Sequence, residues 1–166
     1  MTELTLPDGG LRLDGRPHGA GFTGNLGLVL AGLSSDEVRA WAEIGPGHLQ
    51  DAGIVHGGWY AAVVETVASF GGHTAASRDG RTVVGVANTT EFFRPVRDGR
   101  LDVVARAVHQ GRTQQVWEVH ITRSSDGKLV ARGQLRLQNV NVSRRRTDAA
   151  NGGRTVRRPS DGAAAG

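Results

Sequence analysis

At 166 residues with 38% apolar side chains, the chain is long enough for one domain with a sizeable core and too apolar for a disordered polymer. It has no cysteine, which excludes a disulfide framework and thiolate metal sites. The net charge of +4 belongs to residues 144–166, with six arginines against two aspartates; residues 1–143 balance 14 basic with 14 acidic groups, so no basic folded surface and no specific nucleic-acid partner is expected.

The first 20 residues lack an apolar secretory core and carry Asp8, Arg12, Asp14 and Arg16, and no 18-residue apolar run follows. The expectation is a cytoplasmic chain with no membrane association. Residues 1–22, rich in Gly, Pro and Asp, read as a loose arm. Residues 25–33 read as a strand and Ser34-Ser35-Asp36 as a turn. Residues 37–44 alternate, with Val38, Ala40, Ala42 and Ile44 on one face, which predicts a half-buried strand. Residues 45–55 hold Gly45, Pro46, Gly47 and Gly53 and read as a loop.

Residues 56–77 predict a helix, and between Gly57 and Gly72 its only ionisable groups are Tyr60 and Glu65. An amphipathic surface helix carries a polar stripe. This one has none, so burial is expected, with the alanines allowing close approach of other backbones. Four strand-like runs follow at 81–93, 100–110, 113–123 and 128–139, with turn residues at 97–99, 111–112 and 124–127. Asp-Gly at 98–99 and at 126–127 carries the hairpin signal. In the third run Trp117, Val119 and Ile121 share a face, and in the fourth Leu129, Ala131, Gly133, Leu135 and Leu137 do. From Arg144 onward almost no side chain is able to pack, which predicts a disordered, solvated tail.

Glu65 is the residue that needs an explanation. A carboxylate in apolar surroundings is costly to ionise and seldom lacks a partner or a role. A strand arginine, or an outlet to solvent at the helix edge, accounts for it equally well on composition alone. Gly57-Gly58 stands at the expected helix start, where unpaired backbone N–H groups and the helix dipole favour negative charge. An N–H there can polarise a carbonyl and stabilise an oxyanion. Ser69, four residues after Glu65, lies on the same helix face. The remaining histidines have no ligand spacing with acidic residues, so no metal is expected, and no G-x-S-x-G elbow is present.

The segment GIVHGGWYAAVVETVAS resembles the active-site helix of the hotdog-fold thioesterases, in the phenylacetic-acid-degradation and 4-hydroxybenzoyl-CoA thioesterase group. NTTEFFRPVRDG, AVHQGRTQQVWEVHIT and GKLVARGQLRLQ resemble that family's following strands, in order, over about residues 24–139. The resemblance implies an α+β hotdog fold over 23–140, one long central helix wrapped by a curved antiparallel sheet of five to six strands. It implies an acyl-CoA thioesterase of the glutamate-bearing branch, acting on a small acyl group, aromatic ones included, with no cofactor. By resemblance Glu65 is the nucleophile or general base, and the Gly57 N–H polarises the thioester carbonyl. Gln50 orients the thioester, and Ser69 positions the carboxylate or a water. His56 caps the helix or contacts the pantetheine arm. Gly58, Arg94, Arg112 and Thr113 fall in the CoA-contacting region. The family builds its site between two subunits, which implies a homodimer or a dimer of dimers with Glu65 supplied by the neighbour. Two other functions fit the same residues: an acyl-carrier-protein thioesterase of a polyketide or fatty-acid pathway, and a non-catalytic acyl-CoA-binding module.

Overall fold

The computed structural model describes residues 21–141. The expected arm, save its last two residues, and the expected tail, save its first, lie outside the described residues. The elements in chain order are β1 (Val29–Leu33), β2 (Glu37–Ile44), α1 (Gly57–Ser77), β3 (Arg81–Phe92), β4 (Gly99–Gln110), β5 (Gln114–Arg123) and β6 (Leu129–Asn141), with short 3-10 turns at Gly24–Leu26 and Pro46–His48.

The six strands form one antiparallel sheet in the order β1-β2-β4-β5-β6-β3. The alternation read in β2 holds: Val38, Ala40, Ala42 and Ile44 are all buried. So does that of β5, where Trp117, Val119 and Ile121 are fully buried. Leu135 and Leu137 of β6 continue the same inner face. Against it α1 lays Val63, Val64, Val67 and Ala68, and the core lies between the two layers. α1 is not long and apolar enough to cross a membrane, nor is any other described helix.

Two local expectations are corrected. The strand expected over 25–33 begins only at Val29, because the chain first makes a 3-10 turn that ends at Gly27 with φ +65. That turn drives Leu26 into the core, where its carbonyl accepts from Trp59 Nε1 at 3.1 Å. The Asp-Gly pair at 98–99 makes no hairpin. β3 pairs with β6 at the far edge, so two strands separate it from β4, and residues 93–98 carry the chain across. Turn chemistry sets a local bend, not which strand comes next in space.

Glycine allows close approach of helix and sheet, beside the buried alanines Ala68 and Ala76. A Cβ on Gly71 would lie 2.2 Å from the Trp117 ring, one on Gly72 2.3 Å from Leu137, and one on Gly133 2.5 Å from Val64. Beneath Gly72, buried Gln115 donates to the Gly72 carbonyl at 3.0 Å and accepts from Trp117 Nε1 at 2.9 Å. The second half of α1 is thereby pinned to the sheet.

At the sheet's other edge the picture reverses. Among the described residues β3 has a partner on one side only, and residues 84–89 are all exposed, including Val84 at 47% and Val86 at 46%. An edge strand presents unpaired backbone groups.

Candidate active site

The loop before α1 is built to deliver the helix start. The N–H of Val55 donates to the Val96 carbonyl at 2.8 Å, and that of His56 to the His48 carbonyl at 2.9 Å. Arg97 donates to the Gly53 carbonyl at 3.1 Å and so holds the loop that carries Gln50. Gly53 itself needs the left-handed conformation, with φ +70.

His56 resolves to the N-cap of α1: its Nδ1 accepts from the Gly58 N–H at 2.8 Å. The Trp59 N–H donates to the His56 carbonyl at 2.9 Å. Of the first three helical amides, the Gly57 N–H alone has no partner among the described residues. It carries the positive end of the helix dipole. The Phe92 ring covers it so closely that a Cβ on Gly57 would lie 3.1 Å from Cζ. The amide can therefore be approached only because residue 57 has no side chain.

A cleft of about 270 Å³ opens here, lined by Gln50, Ile54, Val55, Gly57, Tyr60, Phe92, Phe93, Arg94, Pro95 and Val96. Three of the expected residues thus meet: Gln50, Gly57 and Arg94. Arg94 is fixed by donating to the Leu129 carbonyl at 2.6 Å. Tyr60, Phe92 and Phe93 are wall residues. Trp59 instead is core and Phe70 half-buried. Burial pushes the Tyr60 phenol up to about 12, opposed in part by the Arg123 charge.

Arg112 and Thr113 do not join this group. They sit in the β4–β5 turn beside Asp79, Arg81, Asn139 and Asn141, lining a separate polar cleft at the other end of the sheet. The register runs Arg81 against Asn141 and Phe92 against Ala131, so Arg94 and Arg112 lie at opposite ends of β3 and β6. That is roughly 35 Å at about 3.3 Å per residue. Within one chain the expectation of a single CoA-contacting region is corrected, because chain-order proximity to turns says nothing about which end of a sheet each turn occupies.

Glu65 is corrected as well. It is exposed, not buried, and has no hydrogen-bond or ion-pair partner among the described residues. α1 is buried along Trp59, Tyr60, Val63, Val64, Val67, Ala68, Gly71 and Gly72, while Ala61, Ala62, Thr66 and Ser69 are only half-buried. Small uncharged side chains made the helix read as buried all round. Glu65 leans over β3, where its Oε1 lies 3.6 Å from the position a Cβ on Gly85 would take. Ser69 follows one turn on, on the same side.

Asn88 opens the NTTEFFRPVRDG segment, whose resemblance to the family's asparagine-bearing strand gave it no role. From β3 its Nδ2 donates to the Ala61 carbonyl at 2.9 Å, while its Oδ1 accepts from Thr90 at 2.9 Å. Ala61 stands four residues before Glu65, so this bond fixes the turn that presents the carboxylate. An asparagine in an alternating strand gives no sequence signal for such a reach.

One long helix on the inner face of a six-stranded antiparallel sheet, its glycine N-terminus open to an apolar cleft, is the hotdog architecture of thioester hydrolases. The family model described as "Thioesterase superfamily" matches residues 52–130. A Mycobacterium tuberculosis protein named "Putative esterase Rv1847" is 42% identical over 121 residues, covering 72% of this chain and 86% of its own. The solved structure of that protein superposes with a TM-score of 0.70 at 40% identity, covering 73% of this chain and 97% of the other. The S. sahachiroi protein AziG superposes with a TM-score of 0.67 at 44% identity, covering 74% and 98%. The proofreading thioesterase EntH of Cronobacter sakazakii is 35% identical over 97 residues, covering 58% of this chain and 70% of its own. The chain belongs to the thioesterase superfamily and is a thioester hydrolase in class.

Proposed function

We propose that the chain hydrolyses a small acyl-CoA as a homodimer, with the Gly57 N–H of one subunit facing Glu65 of the partner subunit. One observation carries this reading. Glu65 is eight residues from Gly57 on one straight helix, which is about 12 Å along the axis and about 80° around it. A carbonyl held at the Gly57 N–H is out of reach of the same chain's Glu65. Yet Glu65 lies exposed beside β3, the strand whose outer edge has no partner among the described residues. A second copy pairing along that edge would bring each Glu65 toward the other chain's helix start and would cover Val84 and Val86.

In such a site the Gly57 N–H polarises the thioester carbonyl and holds the oxyanion. Glu65 attacks the carbonyl carbon or takes a proton from a water that does. The C–S bond breaks, the thiolate leaves and is protonated, and water supplies the hydroxyl of the free acid. Ser69 positions the carboxylate or the water, and Gln50, exposed at the cleft mouth, orients the thioester. The same antiparallel pairing would set one chain's Arg112 and Thr113 at the end where the partner's cleft opens, a second source of phosphate contacts beside Arg94.

The test is the Glu65→Gln variant on a panel of short and aromatic acyl-CoA thioesters. The expected fall is about 10³-fold or more in kcat with an unchanged circular dichroism spectrum. An unchanged rate would remove Glu65 from the mechanism. The same acyl group offered on a carrier protein should be turned over more slowly than on CoA.

A further inference from the structure

The turn between β4 and β5 is held by more hydrogen bonds than hairpin closure needs. The Gly111 N–H donates to the Gln114 carbonyl at 2.8 Å, which by itself closes the turn. Asn139 binds the turn again from the neighbouring β6. Its Nδ2 donates to the Gly111 carbonyl at 2.9 Å and to the Arg112 carbonyl at 3.2 Å, and its backbone N–H donates to the Thr113 carbonyl at 2.8 Å. Its Oδ1 accepts from Gln115 Nε2 at 2.8 Å, and the same nitrogen donates to the Gly72 carbonyl of α1. Arg81 of β3 donates to the Arg112 carbonyl as well. Period two carries the inner face of β6 from Leu135 and Leu137 to position 139, where an apolar side chain would extend the core. The chain places an amide there, and both its nitrogen and its oxygen are engaged.

What the turn displays is the reverse of what holds it. Arg112 and Thr113 are exposed, and neither the guanidinium nor the hydroxyl has a partner among the described residues. The cleft they line holds about 510 Å³, and its one carboxylate, that of Asp79, is engaged by Arg81. We infer that Asn139 is a positioning residue for substrate binding: it fixes the β4–β5 turn so that Arg112 and Thr113 meet the phosphates of a CoA thioester. This rests on the acyl-CoA reading above. A guanidinium holds phosphate oxygens through charge-assisted, paired hydrogen bonds of strict geometry. A backbone ordered before binding leaves only side chains for the ligand to order, so less of the contact energy is lost. The Asn139 amide is engaged with the turn and with Gln115, so it acts through residues 112 and 113 and not by touching a phosphate.

The experiment assays the full chain on one acyl group carried either by CoA or by pantetheine, which lacks the phosphates. The acyl group is the one hydrolysed fastest in the panel above. The wild type should favour the CoA thioester by about tenfold or more in kcat/KM. In Asn139→Leu that preference should fall about three- to tenfold, through KM, with kcat on the CoA thioester unchanged. Loss of folded protein lowers both rates alike and cancels in the ratio, so a merely structural role leaves the preference where it was. Should the leucine variant fail to fold, Asn139→Ala carries the same measurement. In an Arg112→Ala background, where the preference is already small, Asn139→Leu should lower it by less than about twofold more. A preference that Asn139→Leu leaves unchanged, or lowers equally in the Arg112→Ala background, overturns the inference. A wild-type preference near one overturns it too, while the hydrolase stands. Absence of hydrolysis of every thioester by the wild type overturns the acyl-CoA reading and this inference with it.

Discussion

The two faces of α1 are built on different rules. The inner face carries Val63, Val64, Val67 and Ala68, then Gly71 and Gly72, and every one of these is buried against the sheet. The outer face carries Ala61, Ala62, Glu65 and Ser69, none of them fully buried in the single chain. Both faces are poor in charge, and only one is a core. The inner face is shaped by volume, down to the missing Cβ atoms under Trp117 and Leu137. The outer face presents one carboxylate, one hydroxyl and small side chains, and is the face that the proposed dimer would cover. Small-residue composition on a helix is therefore not evidence of burial within one chain.

Breaking the outer face should cost activity and leave the fold; breaking the inner face should cost stability. The largest effect after that of Glu65→Gln is expected from Val86→Lys on the open edge of β3. Charge on an edge strand blocks pairing. The variant should sediment as a monomer and lose about 100-fold or more in kcat, because each site then lacks a carboxylate. A dimer of full activity would mean that the edge is not the interface. The inner-face counterpart is Gly71→Ala. Its Cβ would meet the Trp117 ring at 2.2 Å, so the ring or the helix must shift. Overpacking of this kind costs about 1–3 kcal/mol. The midpoint of urea unfolding should fall accordingly, and kcat per folded dimer should change little.

Much of the fold was legible because alternation is a strong signal wherever one sheet face is buried. β2, β5 and β6 declared their inner residues by period two alone. What was not legible was the placement of β3 at the far edge. Sequence order and the Asp-Gly pair at 98–99 both favoured a β3–β4 hairpin, and only the pairing of β3 with β6 excludes it. The helix start was readable because the glycine- and proline-rich loop gives way at residue 56 to an apolar run, and of the two roles the resemblance implied for His56 the structure shows the cap. Gln50 and Arg94 were reached through resemblance, and both line the cleft at that helix start. Tyr60 and Asn88 were not readable as site residues. An aromatic on an apolar helix looks like core, and the reach of Asn88 to the Ala61 carbonyl depends on which strand lies beside the helix. The separation of Glu65 from Gly57 follows from helix geometry, and the resemblance already implied a carboxylate supplied by the neighbouring subunit; the edge of β3, unpaired among the described residues, adds a place where that neighbour could pair.

The central claim is that each site takes its amide from one chain and its carboxylate from the other. Complementation tests it most directly. Glu65→Gln lacks the carboxylate, and Gly57→Val closes the amide, since any Cβ there presses on Phe92. Each variant alone should be nearly inactive. Unfolded together and refolded as a mixture, half of the dimers formed at random would be mixed, each holding one site with both native groups. Hydrolysis should return to about a quarter of the wild-type rate per subunit. A mixture as inactive as its components would place both groups of each site in the same chain and contradict the account.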